Sequence, residues 1–237
     1  MLVDVDLAVE PGEALALVGP SGAGKTTLLR LLNGALRPTR GTVAVEGRDL
    51  FALSASELRA ARARVGFVHQ DHALVPNVRV AQNVIAGRLG QRGLLPGLRS
   101  LVWPARSDLL EAHAVLLRLG IEEKLFFRTD TLSGGEQQRA AIARALFQRP
   151  RALLADEPVA SVDPIRARTV IELLTGLAAE RALTLVVSLH DLALARASFP
   201  RIVGLRAGRV CFDRRTEELS EADYAALYEL AQEKPDA

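Results

Sequence analysis

The run Gly19-Pro20-Ser21-Gly22-Ala23-Gly24-Lys25-Thr26 fits G-x-x-x-x-G-K-[ST], a loop whose backbone N–H groups wrap nucleotide phosphates. Its glycines stand where a side chain would hold the phosphates off or where φ must be positive. Lys25 supplies a point charge for the β- and γ-phosphates, and Thr26 a hydroxyl for Mg2+. Thr27 opens the helix that follows and is grouped with the loop as nucleotide-binding. A second set closes an apolar run, Ala152-Leu153-Leu154-Ala155-Asp156-Glu157. Strand side chains alternate, so the two acids can do separate work. Asp156 would hold Mg2+ and Glu157 would polarise an attacking water as general base. Ser133-Gly134-Gly135 precedes a helical run, which makes a second anion site from an N-capped helix start with open N–H groups.

Each group also has a plainer reading when taken singly: a glycine turn that happens to precede a lysine, a strand ending in solvated acids, an ordinary capped helix. Lysine usage speaks against the first. Lys25, Lys124 and Lys234 are the only lysines, so 27 of the 30 basic residues are arginine.

These groups need a scaffold. Apolar, β-rich runs recur at 14–18, 42–45, 65–68, 152–155, 184–188, 202–205 and 210–212. Helical patterns fall between them at 27–33, 54–64, 107–119, 134–148, 164–179 and 221–232, with Gly34 a stop signal and Ser220 with Asp223 a capping box. Alternation of this kind predicts an α/β fold with a largely parallel sheet. The stretch from about 83 to 148 has no strand pattern and reads as a helical insert, with 87–104, rich in Gly, Pro and Arg, as a loop inside it. A single domain spanning 1–237 is expected, its last residues, 233–237, a frayed tail.

Composition removes several classes. A formal net charge of +2 is too balanced for a nucleic-acid surface, and no nucleic-acid partner is expected. Cys211 is the only cysteine, so no intrachain disulfide forms. No apolar run approaches the ~18 residues that a membrane span needs. The first residues lack the basic-then-apolar order of a secretory signal.

The groups occur in an order that resembles the ATP-binding cassette family of transport ATPases, from about residue 3 to 212. Thr131 to Arg139 is similar to its signature motif, with Glu136 where glutamine is also common. Gln70 resembles the Q-loop glutamine, Asp156 and Glu157 the Walker B pair, Ser161-Val162-Asp163-Pro164 the D-loop, and His190 the switch histidine. A lone His190 or Gln70 would ordinarily be a surface residue; the ordered set gives them roles. The resemblance implies a P-loop NTPase core with a β-rich N-terminal part and an α-helical subdomain. It implies ATP and Mg2+ as ligands, Thr26, Gln70 and Asp156 at the metal, and Lys25, Gln70, Glu157 and His190 in catalysis. It further implies that two copies pair head to tail, each ATP lying between Lys25 of one and Ser133, Gly134 and Gly135 of the other, with Asp163 at the same interface. A cytoplasmic-face, peripheral position at the inner membrane follows, with permease subunits docking near Gln70 and 83–103, and a periplasmic or lipid-anchored solute-binding protein.

Gln82 to Gly90, the long loop to Trp103-Pro104, Leu154 to Ser161 and Val187 to His190 resemble phosphonate-type importers, with a generic bacterial importer cassette as the alternative. Export also stays open. Trp103, the only tryptophan, is expected to pack rather than to anchor a ligand. The family pattern places a further strand and an adenine-stacking aromatic before this start; no Tyr, Phe or Trp precedes Phe51, so a misplaced start codon or a shortened cassette is expected and no stacking residue is named. Two rival classes are weaker. A mechanical ATPase on DNA or ribosomes would bring coiled coils or a second cassette, and this sequence shows neither. A non-hydrolysing regulatory module is opposed by Lys25, Asp156, Glu157 and His190.

Overall fold

Strands covered on both faces must be apolar at nearly every position, and the central strands of this chain are. The computed structural model describes residues 1–160 and 163–228. Along the chain run β1 (Ala14–Val18), α1 (Lys25–Leu32), β2 (Ala44–Val45), β3 (Arg48–Asp49), α2 (Ala55–Arg62), β4 (Val65–Val68), α3 (Val80–Ile85), α4 (Leu94–Val102), α5 (Arg106–Arg118), α6 (Gly134–Phe147), β5 (Ala152–Asp156), α7 (Pro164–Arg181), β6 (Thr184–Leu189), α8 (Leu192–Ser198), β7 (Arg201–Arg206), β8 (Arg209–Arg215) and α9 (Glu221–Tyr228). Six of the strands form one sheet in the order β4-β5-β6-β1-β7-β8. It is parallel except at the last pair, where β8 returns antiparallel to β7.

Alternate residues feed two cores. Leu15 and Leu17, with Leu154, Val186, Val203 and Leu205, pack against Leu28 and Leu29 of α1. Ala16, Val18, Leu153, Ala155, Leu185, Val187 and Ile202 face the opposite way, onto a larger cluster that includes residues of α6, α7 and α8. The sheet is therefore the middle of three layers.

Between β4 and β5 lie helices and turns and one isolated antiparallel bridge, Arg79 to Arg128, but no strand among the described residues. α6 is the buried spine of this region. Its Ala140, Ala141, Ala143 and Ala145 let neighbours approach closely. At Gly87 the approach is closest: a Cβ there would stand 2.2 Å from the Arg144 carbonyl oxygen. Asn83 is buried and fully used. Its amide donates to the Val75 carbonyl and Thr129 Oγ1, and its side-chain oxygen accepts from the Val75 N–H.

Several expectations change. The helical region starts at Val80, ahead of 83, and the stretch 87–104 is not a loop. It forms a 3-10 segment, Ala86–Gln91, and then α4. Gly93 takes the extended N-cap conformation, and Pro96 falls in the first turn of α4, where a missing N–H costs nothing. Glycine and proline thus mark a helix start here rather than a coil. Trp103 does not pack: it is 74% exposed. The expected strand at 42–45 shrinks to a two-residue hairpin arm, paired across Glu46 and Gly47, both at positive φ. α3 and α8 were not expected. Each is under eight residues, too short for a helical period to stand out. The capping box at Ser220 and Asp223 is present. Ser161 and Val162 of the D-loop resemblance, the end of the last expected helix and the tail at 233–237 lie outside the described residues.

Candidate functional site

Parallel strands deliver their C-terminal loops to one edge of a sheet, and adjacent strands deliver them to one place. β4, β5, β6 and β1 are consecutive neighbours. Gln70 comes after β4, Glu157 after β5, His190 after β6 and the glycine loop after β1.

The loop needs its glycines. Gly19 sits at φ +156, where a Cβ would lie 2.1 Å from the Leu205 carbonyl oxygen. Gly24, at φ +108, caps α1 in a left-handed conformation. Pro20, Ser21, Gly22 and Ala23 form the turn between them, and the Ala23 N–H donates back to the Pro20 carbonyl. Lys25 is buried and curls back over the loop. Its ammonium donates to the carbonyls of Gly19 (2.7 Å) and Pro20 (3.1 Å). It also lies 3.4 Å from His190 Nδ1 and 3.5 Å from Glu157 Oε1. Burial lowers the Lys25 pKa from its ordinary value, and the Glu157 and Asp156 charges partly offset this.

Thr26 Oγ1 donates to Asp156 Oδ1 at 3.0 Å. That oxygen also accepts from Ser188 Oγ at 2.8 Å, and the same Ser188 oxygen accepts from the Glu157 N–H at 2.8 Å. Ser188 is fully buried and stands opposite Asp156 in the β5–β6 register. Glu157 itself is left-handed, at φ +46, a strained conformation for a non-glycine residue. Its carboxylate reaches His190 Nε2 at 2.6 Å. The Tyr228 hydroxyl of α9 donates to the His190 carbonyl at 2.8 Å.

Lys25, Thr26, Asp156, Glu157 and His190 are thus brought together. Ser188 joins them as a residue that sequence reasoning missed. It was visible as the last residue of an expected strand and within the Val187 to His190 resemblance, neither of which gave it a role; its role follows from register. The Thr26 hydroxyl and Asp156 carboxylate are hard oxygen donors that suit Mg2+, which takes few protein ligands and leaves the rest to phosphate and water. Among the described residues no cluster of three or more His, Cys, Asp or Glu forms a metal cage. Gln70 is exposed on the turn after β4.

Ser133, Gly134 and Gly135 stand elsewhere. Ser133 caps α6, its Oγ accepting from the Glu136 N–H while the Glu136 carboxylate takes the Ser133 N–H. Those bonds, with Lys124 nearby, hold the Glu136 carboxyl below its usual value. Gly134 and Gly135 have open space where a Cβ would be. This helix start opens on a cleft of about 1090 Å³ lined also by Gln70, Glu157 and Asp163, while residues 19–26 do not line it. Gln138, in the wall of the cleft, is 2% exposed and its Nε2 has no hydrogen-bond partner among the described residues. Asp163 caps α7, accepting from the Arg166 N–H at 3.1 Å.

Arg144, on α6, ties that helix to the Gln70 turn. Its guanidinium donates to the carbonyls of His72 (2.8 Å) and Ala73, both at positive φ. Burial lowers its pKa. No motif flagged this contact.

A family model described as ABC transporter matches residues 2–160. A phosphonates import ATP-binding protein of Pseudomonas aeruginosa (strain UCBPP-PA14), PhnC 2, is 49% identical over 227 residues, 96% of this chain and 84% of that protein. A protein of the same name from Cupriavidus metallidurans is 49% identical over 223 residues, covering 94% and 78%. Among solved structures, the dimeric bacterial ABC transporter cassette MJ0796 superposes with a TM-score of 0.79 at 32% identity, over 91% of this chain and 90% of that one. A dimer of the same cassette in a post-hydrolysis state, bound to ADP and Pi, gives 0.76 at the same identity and coverage.

Proposed function

The chain belongs to the ABC transporter family, and from that premise we propose that it is the ATP-hydrolysing subunit of an importer for phosphonates or related phosphorus oxyanions. The cargo rests on the names of relatives that are 49% identical; the cassette itself offers no contact that would select it. The observation that carries the chemistry is the junction of Lys25, Thr26, Asp156, Glu157 and His190 at the ends of adjacent strands.

ATP is the substrate. The loop N–H groups of residues 19–27 and the α1 N-terminus bind its phosphates, which compete with the Gly19 and Pro20 carbonyls for the Lys25 ammonium. Thr26 and Asp156 would hold Mg2+, with Gln70 as the further ligand that the family resemblance implies; when bound, the ion would neutralise charge on the β- and γ-phosphates. Glu157 takes a proton from the attacking water, and His190 steadies both Glu157 and the γ-phosphate.

The α6 start opens on a cleft that residues 19–26 of its own phosphate loop do not line. A second copy, turned head to tail, brings Ser133, Gly134 and Gly135 of one chain to the γ-phosphate held by Lys25 of the other, with Asp163 beside the junction. The dimeric cassettes among the solved structures support this pairing. Shared triphosphate charge holds the halves together, and hydrolysis splits it. Among the described residues no helix is long and apolar enough to cross a membrane. Permease subunits therefore supply the path, with this chain peripheral on the cytoplasmic face of the inner membrane and a solute-binding protein delivering cargo. The Gln70 turn is the proposed permease contact. The Arg144 clamp on that turn supports it, because it connects permease position to the signature helix.

Glu157→Gln tests the reading. The variant should bind ATP, form a stable dimer by light scattering and release phosphate at least ~100-fold more slowly. Hydrolysis at near-normal rates would remove Glu157 from the base role, and ATP saturation without any gain in association would remove the dimer.

A further inference from the structure

Between Asp71 and Asp108 the chain carries no Asp or Glu but five arginines: Arg79, Arg88, Arg92, Arg99 and Arg106. Two of the five are offset by acids of α5, Arg88 by Glu111 and Arg92 by Asp108, so the cationic character rests on Arg79, Arg99 and Arg106, which have no ion pair among the described residues. α4 lies in the middle of this stretch. Gly97 and Ser100 are buried, and the Leu101 carbonyl accepts from Gln82 Nε2, so this face of α4 is the one set against the protein. The opposite face runs i, i+3, i+4, i+7: Leu95, Leu98, Arg99 and Val102. Leu95 is 79% exposed, Leu98 59% and Val102 55%, and the adjoining Trp103 is 74% exposed. Exposures this high belong to side chains on a ridge, not in a groove.

We infer that this ridge is a membrane-contact element that seats Leu95, Leu98, Val102 and Trp103 in the headgroup region of an anionic bilayer. Three observations select a bilayer over a protein segment. The apolar face protrudes, and a ridge can enter a fluid bilayer surface without a matched, pre-shaped counterpart. The only tryptophan sits at the end of the stripe, and an amphipathic ring favours the membrane–water boundary. Arg99 lies on the apolar face itself, where a long cationic side chain can reach back to phosphate headgroups while its stem stays in the apolar zone. Arg92 and Arg88 are held by Asp108 and Glu111, whereas Arg99 and Arg106 have no ion pair among the described residues. Two uncommitted cations therefore lie on or beside the ridge. The inference rests on the proposed function only for bringing the chain to a membrane. It would steady the cassette beside its permease without using the catalytic groups.

Trp103 is a built-in probe, because no other tryptophan contributes emission. The purified chain is mixed with phosphatidylethanolamine–phosphatidylglycerol vesicles or with pure phosphatidylcholine vesicles. Expected are a blue shift and co-sedimentation on the anionic vesicles, both weakened by salt and much reduced on phosphatidylcholine. Leu95→Ser with Leu98→Ser should weaken binding at least ~10-fold, from lost apolar burial alone. Arg99→Gln should weaken it about fivefold and flatten the salt dependence. Both variants should keep the wild-type melting temperature and the ATPase rate of the free chain. An ATP-hydrolysing chain that neither shifts nor sediments on phosphatidylglycerol vesicles overturns the inference. So does binding indifferent to the leucine pair, or a shift that appears only when vesicles contain the permease, which would assign the ridge to a protein partner. Vesicle binding by a chain that hydrolyses no ATP would leave the ridge standing and remove the catalytic reading.

Discussion

Replacing Ser188 by alanine removes one oxygen that joins two catalytic strands. In the native site that oxygen donates to Asp156 Oδ1 and accepts from the Glu157 N–H, both at 2.8 Å, and it is fully buried. Ser188→Ala would leave the Glu157 N–H without a partner, at about 1–3 kcal/mol for a buried orphan. Asp156 keeps its bond from Thr26 Oγ1, so its loss is smaller. The two losses together come to about 2–4 kcal/mol. For a chain of this size each kcal/mol lowers the melting temperature by roughly 2–4 °C. The kinetic effect is separate. Glu157 is held at φ +46, and the Ser188 contact is one of the bonds that keep it there. Release would let the carboxylate drift from the attacking water, lowering kcat about 10- to 100-fold. ATP affinity should change little, because the loop carbonyls and N–H groups are untouched. Calorimetry and phosphate-release kinetics read the two effects on one preparation, and Ser188→Thr, which keeps the hydroxyl, should recover most of the rate. A melting temperature within ~2 °C of wild type, together with unchanged kcat, would refute the reasoning.

Three other outcomes rest on the same geometry. Arg144→Met removes both donors from the left-handed His72–Ala73 turn; hydrogen exchange at residues 71–75 should accelerate and stability fall by about 1.5–3 kcal/mol, the range for bonds from a charged donor. Protection unchanged there would mean that the turn holds itself. Gly87→Ala sets a Cβ 2.2 Å from the backbone oxygen of Arg144, so the turn after α3 must part from α6, costing about 1–3 kcal/mol by urea denaturation, with the glycine loop still binding nucleotide. The third concerns pH. Burial lowers the pKa of His69 and His72 below the usual 6.5, helped at both by the Arg144 charge. Above 6.5 both are neutral, folded or unfolded. As pH falls below 6.5 the unfolded chain binds protons that the folded chain refuses, so stability declines until the folded values are reached. Glu46 and Glu136, held low by their partners, add their losses only as pH drops below 4.5. A urea midpoint that is flat between about pH 7 and 5, or a decline unaltered by His72→Gln, would contradict this assignment.

The phosphate-binding chemistry was legible because its residues are contiguous. A loop of eight residues between a strand and a helix carries its own spacing, so Lys25 and Thr26 have defined positions before any tertiary contact forms. The same holds for the capped start of α6. The strands were legible because burial on both faces demands unbroken apolar runs. Short or marginal elements were not. α8 depends on the Asp191 cap, and α4 is a Gly- and Pro-rich stretch whose helical form rests on where those residues fall within its first turn.

What tertiary structure alone decided lies between strands. Ser188 is separated from Asp156 by 32 residues, and only the order β5-β6-β1 and its register set one hydroxyl against both acids. Arg144 and His72 are 72 residues apart, and their bond exists because α6 packs beneath the turn after β4. The outward face of α4 was equally hidden. Its stretch read as a loop, and it took the packing of Gly97 and Ser100 on one side of a helix to leave Leu95 and Leu98 exposed on the other. Local chemistry is written in spacing along the chain; contacts between distant residues, and the direction a face points, come only from the order in which the layers stack.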